Sequence, residues 1–187
     1  MLVVELVVLW FLGGSQWAGR VGSAATYRAG VSWQSWWGSW RDPHIGARDL
    51  RCQATNTSGK RVAIPPRGDR PVALVVSSGC SSCTMGSLRR WARFAQGHKD
   101  LDVWAIALLD SQGSLQRRQA KFPAGLKWAR ASLADLRALN LRFVPRVYVF
   151  DSTGRLIWLQ RQAFEHDEAL PMSVAEAALG KGEKAKR

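Results

Sequence analysis

The chain is poor in cysteine. Three cysteines in 187 residues are too few for a disulfide-built scaffold, so the fold must rest on a packed core. Hydrophobic residues make up 47% of the chain, enough for such a core in one domain of ordinary size plus some extra sequence. Acidic residues are scarce too: 14 Asp and Glu stand against 27 Lys and Arg, for a formal net charge of +13. Such a charge can attract nucleic acid, anionic lipid or an acidic protein surface. The basic residues are scattered, with one small cluster at Lys181, Lys184, Lys186 and Arg187. No nucleic-acid motif accompanies them, so nucleic acid is not expected as a partner. There is no internal repeat, no second CxxC and no paired histidine.

No long hydrophobic run is present either. Residues 2–12 are apolar except for Glu5, well short of the roughly 20 residues that span a membrane. The run fits the core of a signal peptide better, and Gly22-Ser23-Ala24-Ala25 supplies small residues for cleavage. A basic n-region is missing, and a buried amphipathic helix is the alternative. Residues 1–25 are therefore expected to be a signal peptide or membrane anchor. The domain that follows is expected to be exported or membrane-anchored, on the extracytoplasmic, periplasmic side. Arg20, Arg28 and Arg41 follow the run and taken alone would favour the cytoplasm, but that rule is weak when a whole domain follows. Trp33, Trp36, Trp37 and Trp40 are spaced to form one stripe on a helix. Residues 26–46 read as a Trp-rich linker or an interfacial helix touching a membrane surface. Packing of the stripe on the globular domain or on a partner is the other reading.

A domain boundary is expected at residues 43–47, giving a folded domain over 47–180 and a basic, frayed tail over 181–187. Residues 49–55 and 61–64 read as strands joined by the turn Asn56-Thr57-Ser58-Gly59-Lys60. Residues 72–76 form a continuous apolar strand of the kind buried on both faces. A helix follows over 84–95, with Leu88, Trp91, Ala92 and Ala95 on one face, then a second buried strand over 101–109. Residues 113–122 read as a surface helix. Ser132 and Asp135 resemble a capping box opening a short helix with Leu133, Leu136 and Leu139. Residues 146–150 and 155–160 form a hairpin, and residues 174–179 a last helix. This order predicts an α/β domain, a mixed central sheet flanked by helices.

The chemistry centres on Cys80-Ser81-Ser82-Cys83, which lies between an apolar strand and a helix. Dithiol redox chemistry requires a thiolate as the attacking species. A helix N-terminus offers free N–H groups and a favourable dipole to that charge. Cys80 is therefore expected to be the nucleophile. Cys83, one turn inward, is the resolving thiol that attacks the mixed disulfide. Ser81 and Ser82 add weak hydrogen-bond donors but no charge. Val144-Pro145 enters the later strand. A cis bond there would turn the Val144 backbone towards the disulfide, where a partner's extended chain could pair with it. A trans proline opening a strand is the plain alternative. Arg142 and Arg146 flank this turn. They would support the Cys80 thiolate or receive an acidic partner, or else be ordinary surface charges.

The stretches "TNTSGKRVAI", "RPVALVVSSGCSSC" and "LNLRFVPRVYVFDSTGRLIW" resemble the thioredoxin-like superfamily, and within it the membrane-tethered or exported TlpA/ResA type of redoxin. The resemblance runs from about residue 49 to the end. It implies a thioredoxin fold with an added N-terminal β-hairpin and thiol–disulfide oxidoreductase activity without a cofactor. It further implies a redox-active disulfide Cys80–Cys83 and Pro145 as the cis-proline. The partners implied are cysteine-containing protein substrates, as in protein or cytochrome maturation, and a membrane or thioredoxin-type redox partner. The chain departs from the pattern where Gly79 stands in place of a tryptophan and Ser81-Ser82 in place of a pair containing proline. No Asp or Glu lies within residues 72–76 to shuttle a proton.

Three rivals follow from the same residues. A peroxiredoxin-like peroxidase could use Ser77, but Ala73 stands where proline is expected. A metal carrier could join Cys80, Cys83 and Cys52 to one of His44, His98 or His166, though the spacing does not favour a metal. A non-enzymatic membrane-docking module would leave the CxxC structural. Cys52 reads as a small core residue.

Overall fold

The structure is a computed structural model, which describes residues 39–48, 50, 52–66, 68–78, 82–108, 110–122, 124–161 and 169–185. Among the described residues seven strands form one sheet. They are β1 (Cys52–Asn56), β2 (Arg61–Ile64), β3 (Val72–Ser78), β4 (Asp102–Leu108), β5 (Leu126–Ala131), β6 (Arg146–Phe150) and β7 (Leu156–Leu159). Their spatial order is β2-β1-β5-β4-β3-β6-β7. The central β5, β4 and β3 are parallel, and the outer pairings are antiparallel. The helices are α1 (Ser82–Gly97), α2 (Gln112–Gln119) and α3 (Ala169–Ala185).

Side chains alternate across each central strand, because successive residues of a strand point to opposite faces. Val72, Leu74 and Val76 of β3 pack with Trp104, Ile106 and Leu108 of β4 and with Tyr148 and Phe150 of β6. That face is covered by residues of the β1–β2 hairpin and by Leu136 and Leu139. The alternate residues Ala73, Val75, Val103, Ala105, Val147 and Val149 face Leu88, Trp91 and Ala92 of α1, with Leu115 of α2 and Ala175 of α3. The expected mixed sheet with an added hairpin and helical cover is the observed architecture.

Local chemistry fixes the turns. The Asn56 Oδ1 accepts hydrogen bonds from the backbone N–H groups of Ser58 (3.1 Å) and Lys60 (2.9 Å), and Gly59 takes φ +84°. The Asp151 Oδ1 closes the β6–β7 turn in the same way, accepting from Thr153 N (2.9 Å) and Arg155 N (3.0 Å). Ser111 caps α2 through its Oγ, which accepts from Ser114 N at 3.2 Å.

Three sequence expectations differ from the structure. β5 was not expected. Between Ser132 and Leu139 the reciprocal Ser132–Asp135 bonds form as a capping box would, with Asp135 N donating to Ser132 Oγ at 3.1 Å. A turn and a 3-10 helix (Arg137–Leu139) follow them in place of an α-helix. The last helix also runs longer than 174–179, reaching Ala185 and so into the expected tail. No helix among the described residues is long and apolar enough to cross a membrane.

Candidate functional site

Two elements bring the sequence-selected residues towards one end of the sheet. β3 ends at Ser78, and α1 starts at Ser82, so Cys83 lies in the first turn of α1. Cys80 and Ser81 lie outside the described residues, as do the side chains of Ser82 and Cys83. β6 runs antiparallel to β3 with Val76 opposite Arg146. The register therefore sets the Val144–Pro145 turn beside the last residues of β3, where the chain leads into the CxxC. The Val144–Pro145 peptide bond is cis, as is Ile64–Pro65. Ser77, the penultimate residue of β3, is fully buried, and its Oγ has no hydrogen-bond partner among the described residues.

Arg142 and Arg146 are not surface charges. Arg146 is 0% exposed, and the Arg142 side chain 8%. Both guanidiniums bind Asp42, a residue the sequence reading did not select. The Asp42 Oδ2 accepts from Arg142 Nη2 and from Arg146 Nη2, each at 2.8 Å. Its Oδ1 accepts from Asn140 Nδ2 at 2.8 Å and from Arg142 Nε at 3.3 Å. Arg146 also donates from Nε to the Gln160 carbonyl at 2.9 Å and from Nη1 to the Asn140 carbonyl. The Gln160 Oε1 in turn accepts from Val147 N at 3.1 Å. The Arg146 guanidinium lies 5.0 Å from the Phe143 ring and 5.3 Å from the Tyr148 ring, a cation–π arrangement.

Burial opposes ionisation of Asp42, yet the hydrogen bonds from Arg146 and Arg142 outweigh it and hold its pKa below the ordinary 3.8. The same segment is tied to the sheet edge. Gly46 N donates to the Leu156 carbonyl at 2.7 Å, and Leu156 N to the Ala47 carbonyl at 2.9 Å. Residues 43–47, placed at the boundary by sequence, and Asp42 before them are thus fastened to the folded domain. Trp40 is 76% exposed, with the Arg41 guanidinium 4.5 Å from its ring. Trp33, Trp36 and Trp37 lie outside the described residues.

Cys52 is 2% exposed in the core. Burial pushes its thiol pKa up to about 11, against the opposing backbone hydrogen bonds of Ala138 and Leu139. It is therefore a protonated, unreactive thiol at neutral pH. Among the described residues, no group of three His, Cys, Asp or Glu side chains is placed to hold a metal ion. His98 is engaged elsewhere, with Nδ1 2.9 Å from the Phe94 carbonyl and Nε2 3.2 Å from Glu176.

This arrangement of a mixed sheet, a central strand leading through a CxxC into a helix, and a proline turn entering the neighbouring strand is the thioredoxin-like α/β fold. Solved structures share it. Mycobacterium tuberculosis DsbF, described in mixed oxidised and reduced forms, superposes with a TM-score of 0.57 at 16% identity, covering 69% of this chain and 96% of its own. A secreted M. tuberculosis disulfide oxidoreductase homologous to E. coli DsbE gives 0.55 at 15% identity, covering 67% and 96%. Copper-bound ScoI from Arabidopsis thaliana gives 0.57 at 13% identity, covering 74% and 99%. No protein-family model matches the chain, and no curated protein matches its sequence.

Proposed function

We propose that this protein is a thiol–disulfide oxidoreductase that exchanges its Cys80–Cys83 pair with cysteine pairs of partner proteins. The observation that carries the reading is topological. A CxxC joins the central strand β3 to the N-terminus of α1, and the antiparallel β3–β6 register runs the Pro145 turn to that same end of the sheet. The likeness in fold to disulfide oxidoreductases supports the same reading.

The residues divide the chemistry between them. The Cys80 thiolate, favoured by the helix N-terminus, attacks a substrate disulfide. One S–S bond forms, one breaks, and a substrate thiolate leaves. Cys83 gives up its proton and attacks the Cys80 sulfur, closing the protein disulfide and releasing the second substrate thiolate. Two electrons pass from the protein pair to the substrate disulfide, the two released substrate thiolates taking up the Cys83 proton and one from solvent, and the reverse sequence oxidises a substrate. The Val144 backbone beside Pro145 is positioned to pair with the substrate chain, as in strand addition. No cofactor enters this chemistry.

The domain works outside the cytoplasm in this proposal, exported or membrane-anchored through residues 1–25. Trp33, Trp36, Trp37 and the exposed Trp40 form a contact with a membrane surface. A membrane or thioredoxin-type partner resets the pair. The test is trapping. Cys83→Ser, incubated with a disulfide substrate, accumulates a mixed disulfide on Cys80, whereas Cys80→Ser does not. The opposite pattern reverses the two roles, and trapping by neither variant overturns the assignment.

A further inference from the structure

The loop that enters β6 is held from both sides by one carboxylate. Asn140, Arg142 and Arg146 all bond to Asp42, and Pro145 lies between the last two. Asn140 also adopts the left-handed conformation, φ 49°, which asparagine tolerates better than most residues. The buried cluster holds two guanidiniums against one carboxylate. Stability alone does not explain such a cluster, because well-packed apolar side chains are often equal or better replacements for buried ion pairs. What the charges give, and apolar contacts would not, is directional bonding along residues 140–146.

We infer that Asp42 is a positioning residue for the Val144–Pro145 turn, acting through Arg142 and Arg146 to set the backbone on which a peptide substrate pairs. Asp42 itself touches no reacting atom. Its segment is strapped to β7 at Gly46 and Ala47, so the chain leading in from the tryptophan-rich stretch is part of the site's support. The inference rests on the proposed exchange activity and adds a specific role to a residue outside the expected domain.

The experiment measures two second-order rate constants for the reduced full chain. One is for oxidised dithiothreitol, and the other is for a disulfide-closed Ala-Cys-Ala-Ala-Cys-Ala peptide. The readout is their ratio, because only the peptide has a backbone to pair. Asp42→Asn should lower the peptide-to-dithiothreitol ratio about tenfold, well within what a small misplacement of a binding group produces. Arg142→Gln, which leaves the Asp42–Arg146 pair intact, should lower the ratio in the same direction, and it keeps the test open if Asp42→Asn fails to fold.

A positioning role and a charge effect on the thiolate differ in sign. Removing a negative charge and removing a positive charge should move the Cys80 thiolate pKa in opposite directions. That pKa is read from thiolate absorbance against pH. Same-direction loss in the ratio supports positioning. Opposite shifts in both the ratio and the Cys80 pKa overturn it in favour of an electrostatic role. An unchanged ratio with both rates equally lowered overturns it in favour of a merely structural one. If the unsubstituted protein exchanges with neither probe in either direction, reduced protein with the two disulfides or oxidised protein with the two dithiols, the oxidoreductase reading itself has failed.

Discussion

Replacing Asp42 by asparagine removes the one carboxylate that, among the described residues, pairs with two buried guanidiniums. The hydrogen-bonded distances are 2.8 Å to each arginine, and the side-chain exposures are 10% for Asp42, 8% for Arg142 and 0% for Arg146. Breaking a buried pair by deleting one partner costs about 3–5 kcal/mol, because the other charge stays desolvated. With a urea slope of about 2 kcal/mol/M, the unfolding midpoint should fall by about 1.5–2.5 M. Asp135→Asn is the control. It keeps an amide oxygen to accept from Ser132 N and Oγ, so the charge pair it loses is the one to Arg61, 3.8 Å away and 74% exposed, expected to contribute about 0–1 kcal/mol.

The pH dependence has a definite sign. The folded-state pKa of Asp42 lies below 3.8, so the unfolded chain takes up that proton first as pH falls. The stability difference between the unsubstituted protein and Asp42→Asn should be full above 3.8 and shrink as pH falls below it. Equilibrium urea unfolding at several pH values, with the slope checked for constancy, reads both effects. A midpoint shift no larger than that of Asp135→Asn, or a gap that does not close in acid, would refute the reasoning.

Other sites give independent tests. Cys52 should resist alkylation at pH 8 in the native state and react once unfolded, given its burial and a pKa of about 11. Native labelling at the rate of a free thiol would contradict that. Gly125→Ala should destabilise by about 1–3 kcal/mol, because Gly125 has φ +129° and an added Cβ would meet the Ala92 carbonyl oxygen at 3.2 Å. A neutral result would show that the β5 entry is not fixed as described. Trp91→Ala should cost about 3–5 kcal/mol and lower the melting temperature by about 6–20 °C, since Trp91 is 0% exposed between α1 and the sheet. A shift of a degree or two in calorimetry would mean that α1 is not anchored there.

The elements legible in the sequence are those with an uninterrupted local signal. Residues 61–64 and 146–150 are strands with the expected bounds, and Asn56 and Asp151 mark the turns whose bonds they make. β5 was hidden because its pattern breaks the alternation. Leu126 and Trp128 face one core, Ala129 and Ala131 the other, and Lys127 and Arg130 interrupt the run. Its strand state comes from pairing with β4 and β1 on either side, which no local window contains.

Asp42 was hidden for a related reason. Its partners lie about 100 residues away in sequence, and it stands in a stretch that reads as linker. Arg146 opens a buried strand with a charge that looks exposed by default, and the distant Asp42 carboxylate, with the Asn140 and Gln160 carbonyls, accounts for its burial. The CxxC and Pro145 were legible because their chemistry is written in residue type and spacing. The support around them is tertiary.

The central claim is tested most directly by the reduction potential of the Cys80–Cys83 pair. The protein is equilibrated in defined dithiothreitol or glutathione buffers and read by mass spectrometry. A reversible two-electron couple is expected, lost on replacing either cysteine. A value far below the glutathione poise would assign the protein as a reductant, and one well above it as an oxidant or isomerase. A pair that never closes into a disulfide, or a protein that purifies with zinc on these cysteines, would contradict the account.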